Sequence, residues 1–110
     1  MNDKLIHRVE EWYAINGRKL SKIFDIFNFR LAFADEERRG KATIEIDGKI
    51  IGASIAFWNK GDVAALLINK ATGVEYKFDD RKLLATEDIH MLLDSYIERI
   101  MRDAKVLPDS

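Results

Sequence analysis

The sequence predicts an α+β domain: an antiparallel meander sheet of four to five strands, with an N-terminal and a C-terminal helix packed on one face. Three observations predict it. Apolar residues recur at helical spacing at both ends of the chain. Between Phe29 and Asp79 they alternate with polar or small residues, the period of a half-buried strand. Short turn clusters, Asp47–Gly48, Asn59–Asp62 and Ala71–Gly73, divide that middle stretch into hairpins.

The first helix is expected to start at Asn2 or Asp3, both good N-caps. Leu5, Val9, Trp12 and Tyr13 form its apolar stripe, and Asn16–Gly17 reads as its C-cap. A further helical turn or continuation carries Leu20, Ile23, Phe24 and Phe27 on one side. Trp12 and these phenylalanines read as core, because aromatic rings are the bulkiest groups available to bury. The first strand is Phe29–Ala34, followed by a charged loop, Asp35–Gly40. The second strand is Ala42–Ile46, and Asp47–Gly48 after it suits a type I′ turn. The third, Lys49–Trp58, puts Ile51, Ala53, Ile55 and Phe57 on one face and Gly52, Ser54 and Ala56 on the other. Those small residues would allow close packing or mark a bulge. The fourth strand, Val63–Ile68, is apolar on both faces and therefore expected in the centre. The fifth, Val74–Asp79, alternates again. The closing helix is capped by Thr86, with Glu87 and Asp88 in its first turn, where the helix dipole favours anions. Its apolar face is Ile89, Leu92, Leu93, Tyr96, Ile97, Ile100 and Met101; Asp94, Glu98, Arg99 and Arg102 face out, and Pro108 lies beyond.

The chain has 110 residues, which suits one domain over 1–110. There is no cysteine, so disulfides and thiolate chemistry are excluded. A net charge of −1 argues against direct nucleic-acid binding. No apolar run approaches the roughly 20 residues of a membrane span, and no signal-peptide core follows Met1, so a cytoplasmic protein is expected. Charge is uneven: from Ala71 to Glu98 there are seven acids against three bases. This reads either as solvated surface or as an acidic face for a basic partner. If Trp58 and Ile50 are uncovered, the second sheet face is an interaction surface.

No enzyme, metal or cofactor is expected. His7 and His90 have no metal-ligand spacing to other residues, and the six glycines form no phosphate loop. Ser54, His90 and Asp94 can be drawn as a triad, but a solvated His90–Asp94 ion pair one helical turn apart is the better reading. The carboxylate pairs Asp79–Asp80, Glu36–Glu37 and Glu87–Asp88 fall in loops or at a helix start, not in a cleft that would separate their pKa values.

The block Phe57-Trp58-Asn59-Lys60-Gly61-Asp62, the following strand, the Thr72–Gly73 turn, strand five and the closing amphipathic helix resemble one family in order and length over nearly the whole chain. It is similar to the TriTu-type immunity proteins of bacterial contact-dependent growth inhibition. The chain departs from their expected acidic character at Lys60 and Lys70, both in turns. The resemblance implies a cytoplasmic protein that binds and neutralises a cognate toxin domain, of a kind resembling tRNA-cleaving nucleases. Nuclease sites are cationic, so carboxylates on a rigid surface would complement them, with aromatic anchors supplying affinity. The contacts expected are Asp79, Asp80, Glu87 and Asp88 at one corner and Trp58, Asn59 and Asp62 at a hairpin tip, with Asp35–Glu37 a third acidic cluster. Trp58 reads equally as core or anchor, and a homodimer is compatible with the pattern. Two other readings stay open: a secretion-type chaperone, which would be an obligate dimer with an apolar strand face, and a small ligand-binding α+β domain, which needs a cavity lined by convergent polar groups.

Overall fold

A computed structural model of the chain describes residues 3–34 and 39–103. Helix α1 (Asp3–Leu20) is followed by strands β1 (Ile26–Ala34), β2 (Arg39–Asp47), β3 (Ile51–Trp58), β4 (Asp62–Asn69) and β5 (Glu75–Lys82), and then by helix α2 (Ile89–Asp103). The strands form one antiparallel sheet in the order β1-β2-β3-β4-β5, a meander in which each strand pairs with its neighbour in sequence. The expected α+β class is the observed one. Asn2, Asp35–Glu37 and Pro108 lie outside the described residues.

The register explains the core. Phe29, Ile44, Ile55 and Ala65 stand in one row across four strands, and Phe27, Ile46, Ala53 and Leu67 in a second. Leu31, Ala42, Phe57 and Val63 make a third. All three rows point to the same side, where both helices lie. α1 contributes Ile6, Val9, Trp12 and Leu20 to this core, and α2 contributes Ile89, Leu93, Tyr96, Ile97 and Ile100. Trp12 is fully buried, and its indole N–H donates to Asp94 Oδ1 of α2 at 2.9 Å, which ties the two helices together without leaving a buried donor unmet. Phe24 and Phe27 are buried beside it, so these aromatics are core as expected.

Several boundaries differ from the sequence reading. Asn16–Gly17 does not cap α1. Asn16 Nδ2 donates to the Trp12 carbonyl within the helix (3.0 Å), the Tyr13 ring lies over Gly17, and the helix continues to Leu20. The chain then turns, and Phe27 belongs to β1, not to a helical continuation. Asp47–Gly48 is not the hairpin tip: Asp47 remains in the ladder opposite Gly52, and Gly48 N–H donates to the Ile51 carbonyl at 2.9 Å. The turn is held from outside, by Lys70 N–H donating to the Ile50 carbonyl (2.9 Å) and by an ion pair of Lys70 with Asp47. β3 therefore begins at Ile51, not Lys49, and carries no bulge. β4 lies between β3 and β5, and the middle strand is β3. At α2, Asp88 is the cap: its carboxylate accepts from Met91 N–H at 3.2 Å, while Thr86 and Glu87 precede the helix.

Ile55 is fully buried on the middle strand. Replacing it with alanine is expected to lower stability by about 3 kcal/mol in urea unfolding, through lost transfer energy and the cavity left. Ile15→Ala, at a position 69% exposed on α1, is expected to change stability by less than about 0.5 kcal/mol.

Candidate functional site

The inner rows of the sheet change character at β5. The three rows end on Asp79, Tyr76 and Arg81, opposite Ala65, Leu67 and Val63. A register shift between Ala65 and Leu66 makes this possible. Before it, Tyr76 faces the helices; Phe78 is the extra residue, and after it Asp79 and Arg81 face the same way. A bulge re-aims side chains in this manner because strand faces alternate with a period of two.

These residues build a closed polar network at the foot of α2. The Arg81 guanidinium makes a two-pronged contact with Glu87, at 2.6 and 2.7 Å, and its Nε donates to Asp79 at 3.1 Å. Glu87 also accepts from Leu84 N–H at 2.8 Å, which shapes the β5–α2 connection. Tyr96 Oη donates to Asp79 at 2.5 Å, and the Tyr96 ring meets Phe78 edge to face at 5.6 Å. The guanidinium and the Leu84 amide hold the Glu87 carboxyl well below its ordinary value, down to about 2. Burial, reinforced by the Asp79 carboxylate, pushes the Tyr96 hydroxyl up, so it stays protonated and donates.

The structure redistributes the seven residues expected to touch a partner. Asp79 and Glu87 meet around Arg81, so their charge is answered within the chain. Asp80 lies on the opposite sheet face, paired with Lys77 at 3.1 Å. Asp88 caps α2. Trp58 and Asp62 are half-buried on that opposite face, where Lys41 stands 5.1 Å above the Trp58 ring and Lys60 lies 3.6 Å from Asp62. Asn59 turns instead toward the helix side. The hairpin tip and the β5–α2 connection do converge: Gly61, at φ 108°, directs its carbonyl to Leu83 N–H at 2.7 Å.

Where they converge, a cleft of about 460 Å³ opens between α1, the β3–β4 tip and the β5–α2 connection. Leu5, Leu83, Leu84 and Ile89 supply its apolar wall, Arg8, Lys60 and Lys82 bring positive charge from three separate elements, and Glu87, its carboxylate held by Arg81, also lines it. No local motif announces this grouping of cations, since Arg8, Lys60 and Lys82 are 22 to 74 positions apart in sequence. The acidic corner read from the sequence therefore borders a cationic cleft.

Among the described residues no helix covers the second sheet face. Its rows run Arg30, Thr43, Ala56, Ala64, Asp80; then Asn28, Glu45, Ser54, Leu66, Lys77; then Ile26, Asp47, Gly52, Ile68, Glu75. Charge lies along the borders and small or apolar residues fill the middle. Ile68 overhangs Gly52 so closely that a β-carbon there would stand 3.2 Å from Ile68 Cγ2. Ser54 belongs to this face, whereas His90 lies on α2, 3.7 Å from Glu11 of α1, and Asp94 is engaged by Trp12. The Ser54, His90 and Asp94 arrangement is thus not assembled, and the expected His90–Asp94 ion pair is replaced by these two contacts. Among the described residues no group of three histidine, cysteine, aspartate or glutamate side chains is placed to hold a metal ion, and no helix is long and apolar enough to cross a membrane.

The Arg81–Glu87 pair sets an acid limb of stability. Because the folded carboxyl is depressed, its contribution is complete above the ordinary value of 4.5 and is lost as pH falls toward about 2. Glu87→Gln is expected to lower stability at neutral pH and to flatten the dependence in that window, measured by urea unfolding at a series of pH values. No family model, curated protein or solved structure matches this chain.

Proposed function

We propose that the chain is a protein-binding domain of the immunity type, which neutralises a cognate toxin domain in the cytoplasm by covering it. The observation that carries this reading is the helix-free sheet face. It is a rigid five-stranded platform with Gly52, Ser54, Ala56 and Ala64 at its centre, Leu66, Ile68 and Trp58 around them, and charged residues at its borders. An apolar centre with a polar rim is the anatomy of a protein interface. Trp58, half-buried and uncovered by a helix, supplies the kind of aromatic anchor that dominates binding energy. Asp62 and Asp80 on the same face supply carboxylates for a basic partner. The toxin is proposed to be a nuclease domain that cleaves tRNA, as the family resemblance implies.

The test is to read the gene immediately upstream and, where it encodes a large secreted protein with a variable C-terminal domain, to co-express that domain with this chain. Rescue of growth and a stoichiometric complex are expected. Ala64→Arg, projecting from the centre of the face, and Trp58→Ala are each expected to weaken the complex at least about tenfold. Charge reversal of Asp62 and Asp80 together is expected to slow association at low salt. A complex indifferent to Ala64→Arg and Trp58→Ala removes the sheet face from the interface; absence of both rescue and complex removes the toxin-binding reading.

The cleft favours a second reading, a small anionic ligand. Its volume falls in the range of roughly 300–1,000 Å³ typical of ligand sites. Apolar walls with Arg8, Lys60 and Lys82 suit a carboxylate or phosphate on an apolar body. On this reading octanoate shifts the amide resonances of Gly61, Leu83 and Leu84, octylammonium does not, and Arg8→Ala with Lys60→Ala removes the response. Equal responses to both probes would exclude it.

A further inference from the structure

The sheet has two edges, and they are built differently. β5 carries six charged residues among its eight, and its ladder is broken by the bulge. Charges and bulges blunt an edge, because an unpaired row of N–H and C=O groups otherwise templates another strand. β1 carries neither device. It is nine residues long, pairs with β2 without a register shift, and has one charge, Arg30. Ile26 and Leu31 on it are 42% and 40% exposed, one on each face.

We propose that β1 is a dimerisation edge: two copies of this chain pair β1 with β1 antiparallel about a two-fold axis, joining their sheets into one of ten strands. The strand is self-complementary in the register centred on Phe29. With Phe29 opposite its own copy, Phe27 stands opposite Leu31 of the second copy, and Asn28 opposite Arg30. The inner side of the junction is then a row of aromatic and aliphatic side chains, continuous with the core row of Phe27 and Phe29. Cross-strand pairs of this kind stabilise a sheet. On the outer side the single charge meets an amide. Arg30 already donates to Glu45 at 2.9 Å, and a guanidinium has five N–H donors, so it can serve both. Sliding the register by one residue pair, to centre on Arg30, sets the two guanidinium groups directly opposite each other, and like charges so placed destabilise a ladder. Tyr13 Oη donates to the Phe27 carbonyl at 3.1 Å, and that oxygen keeps a second lone pair for a strand. A two-fold contact uses the same patch twice, so this one strand supplies both halves of the interface. The helix-free face stays open in the dimer.

The contact is narrow, one strand against one strand, and belongs with small, weak interfaces. Sedimentation equilibrium of the full chain between about 10 μM and about 1 mM is expected to show the mass rising from 12.7 kDa toward twice that value, a range matching weak association. Asn28→Lys and Leu31→Lys are each expected to hold the chain at monomer mass with unchanged circular dichroism. The register is read separately by oxidising an equimolar mixture of Asn28→Cys and Arg30→Cys, which is clean because the chain has no cysteine of its own. The mixed disulfide is expected to exceed the two homodisulfides together, the share that random pairing alone would give. A monomer throughout the range, or a dimer unaffected by both lysine variants, overturns the proposal; a mixed disulfide no more abundant than the two homodisulfides together overturns the register.

Discussion

Two helices can cover one face of this sheet and no more. Five strands spaced about 4.8 Å apart span about 19 Å, and two helices side by side, each about 10 Å across, span the same width. With α1 and α2 both committed to one side, the opposite face has to be made compatible with water by its own side chains. The registers show how this is done. Small residues occupy the centre, the larger apolar ones lean over them, and charged residues line the borders. Trp12 serves the covered side: it fills the space between helices and sheet, and its one polar atom is satisfied by Asp94 from the other helix.

The same geometry places the chemistry. Apolar rows can continue across β1 to β4 because both helices press on them. At β5 the rows end in Tyr76, Asp79 and Arg81, and α2 meets them through polar groups, Asp103 accepting from Tyr76 and Tyr96 donating to Asp79. The bulge at Phe78 is what allows two charged residues to face inward after an aromatic one. Once there, they are stable only as a mutually satisfied set, because a half-buried charge without a partner is costly. Arg81 therefore answers both Asp79 and Glu87, and Tyr96 completes the Asp79 shell. Carboxylates that looked free in the sequence are internal scaffolding, and the nearby cleft takes its charge from Arg8, Lys60 and Lys82 instead.

Much of the fold was legible because its signals are local. The alternation at Phe29 to Phe33 and at Ala42 to Ile46, and the helical stripe from Ile89 to Met101, each need only a few neighbouring residues to be read. The turns were less legible. Asp47–Gly48 has the composition of a two-residue hairpin, yet Lys70, more than twenty positions away, holds the loop in another form. Gly17 resembles a helix end, but the apolar stripe continues past it to Leu20. Of the expected contact residues, Trp58 and Asp62 do share an uncovered face. Asp79 and Glu87 come together as the sequence neighbourhood suggested, but around a cation rather than toward solvent.

By itself the sequence determined the class of fold, the order of the strands and of the two terminal helices, and the apolar face of β1, β2 and β3, because periodicity of two or 3.6 is a property of the chain's own backbone geometry. Tertiary structure alone decided the bulge that turns Asp79 and Arg81 inward, the gathering of three cations at one cleft, and the contrast between a blunted β5 edge and an open β1 edge. Those depend on which segments lie side by side, and a side chain's charge has no fixed meaning until its neighbours across the fold are known.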